Sequence, residues 1–88
     1  MKGQVAFVHE QGVTFAVVVV RPSVISGLRR EREDAVRAYS AEFGVPAVLM
    51  IRNSQGIPTY HGRPDLMELL ATIPVEQLPW REFTMQAA

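Results

Sequence analysis

Cysteine is missing from the chain altogether. Disulfides, thiolate zinc sites, iron–sulfur clusters and a thiol nucleophile are thereby excluded. Net charge is missing too, since nine basic residues offset nine acidic ones. No overall field draws the chain toward nucleic acid or anionic lipid. Histidine is scarce: His9 and His61 stand alone, so a metal site would need carboxylates gathered from the fold. No metal and no cofactor is expected. The Gly-rich phosphate loop, H-E-x-x-H and G-x-S-x-G are all absent. No catalytic residue is assigned, and the balance leans toward a protein that is not an enzyme.

Long apolar runs are few. The longest, Phe15 to Val20, falls far short of the roughly 20 residues that a spanning helix needs. The opening MKGQVAF has one lysine and no extended apolar stretch, so it does not read as a signal peptide. A soluble, cytoplasmic protein with no membrane partner is expected.

What is present suits one packed domain over residues 1–88, with 48% hydrophobic residues. A chain of this size buries only about 60–65% of its unfolded surface, so its core is thin. Gln4 to Glu10 and Val13 to Val20 read as two strands joined by a turn at Gln11-Gly12, a hairpin. Arg21-Pro22 ends the second strand, because proline cannot donate to a ladder. Ser23 or Ser26 can cap the helix that follows. Ile25, Leu28, Val36, Tyr39 and Phe43 approximate its apolar stripe, broken by Arg32. Gly27 can break the segment and move the start of the regular helix toward Arg30. Gly44 and Val45-Pro46 stop the helix.

Ala47 to Arg52 is a third strand. Asn53-Ser54-Gln55-Gly56 supplies a turn, and Ile57 to His61 a short fourth strand, which Pro58 marks as an edge. Pro64 opens a second helix with Leu66, Leu69, Leu70 and Ile73 as its buried stripe, and Pro74 stops it. Residues 75–88 read as an extended tail, with Arg81 to Met85 available as a fifth strand or for exchange between subunits.

The order is ββαββα plus a tail, which places the chain in the α+β class. A two-layer domain is expected: a mixed four- to five-stranded sheet with both helices packed on one face. Strands two and three, joined through a helix, should run parallel. Both are apolar on both sides, the signature of central strands covered above and below. With the helices on one face, the other would expose Ala16, Val18, Val20, Val48 and Met50, the size of patch that marks an interaction surface. Together with Trp80 and Phe83, this patch suggests a homodimer or tetramer, since a twofold interface buries such a patch on itself.

The stretch FGVPAVLMIRNSQGIPTYHG followed by DLMELL resembles the closing half of thioredoxin-like domains. Those run helix, Pro-containing turn, strand, Gly-bearing turn, strand, helix. The resemblance covers about a third of the chain. It implies no redox chemistry here, because the Cys-x-x-C of that family is absent. Pro46 would stand at that family's cis-proline.

Three functional readings follow. The first is a small non-enzymatic interaction or adaptor module that works as a homo-oligomer and engages a partner protein. The second is a binder of a small anionic ligand at the junction of the fourth strand and second helix. There His61 offers an acid or base, Arg63 a cation and Tyr60 a hydroxyl beside Asp65. The third is nucleic-acid binding through Arg29, Arg30 and Arg32. The signs in that run cancel against Glu31, Glu33 and Asp34, and a Glu33–Arg37 pair would add about 0.3–0.5 kcal/mol. The run therefore reads foremost as a solvated helix face.

Overall fold

A computed structural model describes residues 2–22, 29–52 and 54–84. Among these residues the fold is mixed α+β, built on one five-stranded sheet and two helices. The chain runs β1 (Lys2–Glu10), β2 (Val13–Val19), α1 (Arg29–Phe43), β3 (Ala47–Arg52), β4 (Pro58–His61) and α2 (Pro64–Ala71). A 3-10 turn (Val75–Gln77) and β5 (Trp80–Thr84) follow. The strand order is β4-β3-β2-β1-β5. Only β2 and β3 are parallel; every other neighbouring pair is antiparallel. The readings that fall on Ser23, Ile25, Ser26, Gly27, Leu28, Asn53 and Met85 lie outside the described residues.

Local chemistry accounts for the boundaries. Gln11 (φ 52°) and Gly12 (φ 78°) both adopt the left-handed region, as a two-residue hairpin turn of the primed kind requires. Gly44 does the same at the end of α1 (φ 71°), and its N–H donates to the Ser40 carbonyl at 2.9 Å. Ser40 also ties the helix to the sheet: its hydroxyl donates to the Val36 carbonyl at 2.6 Å and accepts from the Ala47 N–H at 3.0 Å. Glu33 pairs back to Arg29, and Arg37 pairs with Asp34, instead of the expected Glu33–Arg37 bond.

The two helices lie on opposite faces of the sheet, which corrects the two-layer expectation. One face gathers Ala6, Val8, Phe15, Val17, Val48 and Met50 under Leu66 and Leu70 of α2, with Val75 and Leu78 beside them. The other gathers Val5, Ala16, Val18, Val20, Ala47 and Leu49 under Ala35, Val36, Tyr39 and Phe43 of α1. β2 and β3 are apolar on both sides, and their parallel register, Val17 against Val48 and Val18 against Leu49, fixes which of those sides share a face. Residues level with each other on neighbouring strands share a face, so each apolar side of β2 aligns with an apolar side of β3 and needs its own cover.

The residues expected to form an open patch are therefore closed within the chain. Ala16, Val18 and Val48 are fully buried, Met50 and Val20 nearly so. They are also divided, Val48 and Met50 on the α2 side and the rest on the α1 side. The tail pairs with β1 of its own chain, from Lys2↔Thr84 to Ala6↔Trp80. Trp80 faces α2 and donates from Nε1 to the Val75 carbonyl at 2.9 Å. Phe83 faces α1, its ring centroid 5.2 Å from that of Phe43 and 6.3 Å from that of Tyr39.

Phe15 is the largest fully buried side chain. Phe15→Ala should lower unfolding free energy by about 3–5 kcal/mol. Gln11→Asn should raise it by roughly 0.5 kcal/mol, because Asn tolerates the left-handed region better and Asn-Gly suits this turn. Urea denaturation with unchanged m-values checks both.

Candidate functional site

The junction of β4 and α2 is shaped by Gly62. A Cβ there would sit 3.1 Å from Val48 Cγ2 and 3.2 Å from the Val48 Cα. The glycine thus lets the chain cross close over β3 before it turns into α2. Pro64 opens the helix, and Arg63 precedes it in extended conformation.

Of the four expected site residues, the structure keeps His61, Arg63 and Asp65 close together and turns Tyr60 to the other face. Tyr60 and His61 are neighbours on a strand, so they point to opposite faces. Tyr60 packs under α2 with Leu69, Ile73 and Trp80 on that core. His61, level with Leu49, lies on the α1 side, where it lines a cavity of about 330 Å³ with Arg29, Glu33, Val36, Gly62 and Arg63. Asp65 borders a different cavity, with Gln11, Glu68 and Thr72. Arg63 clamps it, Nη2 to Oδ2 at 2.8 Å and Nε to Oδ1 at 3.2 Å. Those hydrogen bonds hold the Asp65 carboxyl below the usual carboxylate range. The sign is that of a depressed acid: the pair is intact at neutral pH and is lost as pH falls below about 4.

Sequence reading missed that α1 overlies this junction. Arg29, assigned to a helix-surface charge run, lines the His61 cavity, with its Nε donating to Glu33 Oε1 at 3.1 Å. The signal existed in part: a helix whose buried stripe includes Val36 also turns positions 29 and 33 toward that side.

On the other face of β4 lies an apolar groove of about 440 Å³, lined by Ile57, Pro58, Tyr60, Leu70, Ile73, Val75 and Glu76 among others. Ile57 at its rim is 54% exposed, more than any other large apolar residue described. The Tyr60 hydroxyl is buried without a hydrogen-bond partner, and burial raises its pKa, with Arg52 opposing and Glu76 adding to the rise.

Among the described residues, no group of three or more His, Asp or Glu side chains is placed to hold a metal ion, and no helix is long and apolar enough to cross a membrane. From α1 (Arg29–Phe43) to α2 (Pro64–Ala71) the described elements follow the helix, turn, strand, turn, strand, helix succession of the thioredoxin-like resemblance. No peptide bond is cis among the described residues, so Pro46 does not follow that family's pattern. Comparison with protein-family models, with curated proteins and with solved structures finds no match for the chain.

Removing the orphaned hydroxyl should help the isolated fold. Tyr60→Phe should raise stability at pH 7 by about 1 kcal/mol, since an unsatisfied buried hydroxyl costs about that much or more. A raised phenol pKa contributes stability below pH ~10 that is lost as pH rises further. The variant should therefore also lose less stability than the parent above pH ~10, as followed by thermal unfolding in alkaline buffers.

Proposed function

We propose that the chain is a non-enzymatic interaction module that receives an extended polypeptide segment alongside β4. The observation that carries this reading is the apolar groove opening beside a free strand edge. Among the described residues, β4 has β3 on one side and no strand on the other. A strand added to such an edge gains main-chain hydrogen bonds, and neighbouring pockets select its side chains. Pro58 has no N–H to give, and because backbone groups of successive strand residues alternate in direction, every second residue of β4 faces that edge.

The opposite edge is guarded. Arg81 and Glu82 on β5 are exposed, and charged residues deter pairing at a strand edge. Catalysis has little support, because the charged groups at the β4–α2 junction already neutralise one another in Arg63–Asp65 and Arg29–Glu33 pairs. The self-association expected of an open sheet face loses its basis once both faces are covered, so partner binding is assigned to the edge.

Peptides selected from a random display library on the immobilised chain should be titrated into isotope-labelled protein. Amide shifts should cluster on Thr59 to His61 and on Ile73 to Glu76. Ile57→Asp should weaken binding about tenfold or more. Selected peptides that shift the outer face of α1 or β5 instead, or that bind Ile57→Asp like the parent, would contradict the assignment.

A further inference from the structure

We infer that the segment received at β4 runs antiparallel to it and places one apolar anchor residue directly opposite Tyr60, with its own N–H and carbonyl both bonded there. This rests on the strand-addition reading above and adds the direction and chemistry of the occupant.

The hydrogen bonds of the sheet fix which residues of β4 face outward. Ala16 N–H donates to the Pro46 carbonyl at 2.9 Å, and Val20 N–H to the Met50 carbonyl at 3.0 Å. Successive strand residues turn their backbone groups to opposite sides. Pro46, Val48 and Met50 therefore face β2, and Ala47, Leu49 and Ile51 face β4. Leu49 stands opposite His61, and Ile51 opposite Thr59. Those are then the pairs that exchange hydrogen bonds, and Pro58 and Tyr60 turn their backbone groups to the open side. Pro58 fits this position, because its missing N–H costs the β3–β4 ladder nothing. It offers the edge only a carbonyl. Tyr60 is thus the one residue of β4 that presents both an N–H and a carbonyl to a partner.

An antiparallel segment meets Tyr60 with a single residue that takes both bonds. A third bond runs to the Pro58 carbonyl from the N–H two residues further along the segment. A parallel segment would make slanted and weaker bonds, from the residues before and after the anchor. Residues level with each other on paired strands share a face. Tyr60 turns its ring to the α2 side, where it lines the groove of about 440 Å³ with Ile57, Leu70, Ile73 and Val75. The residue opposite Tyr60 therefore sends its side chain toward that groove, and an aliphatic or aromatic group suits it. The anchor cannot be proline, since its N–H is used. Its two neighbours point their backbone groups away from β4 and tolerate proline.

A capped heptapeptide of threonine with phenylalanine at its centre tests this by amide-shift titration at millimolar concentration. N-methylation of the phenylalanine removes the N–H due to Tyr60 and should weaken binding about tenfold. N-methylation of the threonine just before or just after it should change affinity by less than about twofold, since neither amide bonds to β4. Serine in place of the phenylalanine should weaken binding, and so should Ile57→Asp, a change at an exposed position.

If the neighbouring amides are the sensitive ones and the anchor amide is silent, the segment runs parallel; the inference is wrong and strand addition stands. If the serine peptide binds as well as the phenylalanine peptide, the anchor is wrong and the edge alone binds. If β4 shifts but no methylation matters, or if no peptide shifts β4, strand addition itself fails and the inference falls with it. A concentration-dependent dimer abolished by Ile57→Asp would make a second copy of the chain the occupant and would also overturn the inference.

Discussion

Val17 stands level with Val48, and Val18 with Leu49. β2 and β3 are apolar on both sides, and this parallel register decides which side chains each helix must cover. Because neighbouring side chains at one level share a face, the register joins Phe15, Val17, Val48 and Met50 into one apolar surface and Ala16, Val18, Ala47 and Leu49 into another. Each surface buries several Val, Leu or Phe side chains, worth roughly 1.5–3 kcal/mol apiece when fully covered. Neither can be left to water in a chain this small. The crossover helix α1 covers one and α2 covers the other, and the position of both helices decides which residues line the cavities beside β4.

Much of this was legible in sequence. The doubly apolar runs at Val17 and Val48 marked β2 and β3 as central, Pro58 marked β4 as an edge, and Gly44 and Pro64 marked helix ends. The parity between β2 and β3 was not legible. A period of two says which residues of one strand share a side, but a crossover of variable length does not say which side of the next strand meets it. Expecting both helices on one face is what left a patch exposed, and matching Val17 with Leu49 instead of Val48 then grouped in it residues that are buried on two different faces. The divergence of Tyr60 from His61 was legible in principle, since adjacent strand residues point to opposite faces. The approach of Arg29 to His61 was not, because it depends on how α1 crosses the sheet.

Covering both faces leaves the edges as the places where backbone can meet a partner. The two edges are unlike. β5 presents Arg81 and Glu82, whereas β4 is short and sits between an apolar groove and an arginine-lined cavity. The orphaned hydroxyl of Tyr60 and the exposed side chain of Ile57 are small local costs concentrated at the same edge. Proteins tend to violate packing and hydrogen-bonding rules where function requires it, which is why these two residues weigh in favour of β4.

The central claim is that one chain seals both faces of its own sheet. Thermal unfolding over about a hundredfold range of concentration, with light scattering on the same samples, tests it most directly. The account predicts a 9.8 kDa species whose midpoint does not move with concentration. A midpoint that rises with concentration, alongside a dimer or tetramer in scattering, would mean that a second subunit supplies part of the core and would contradict it.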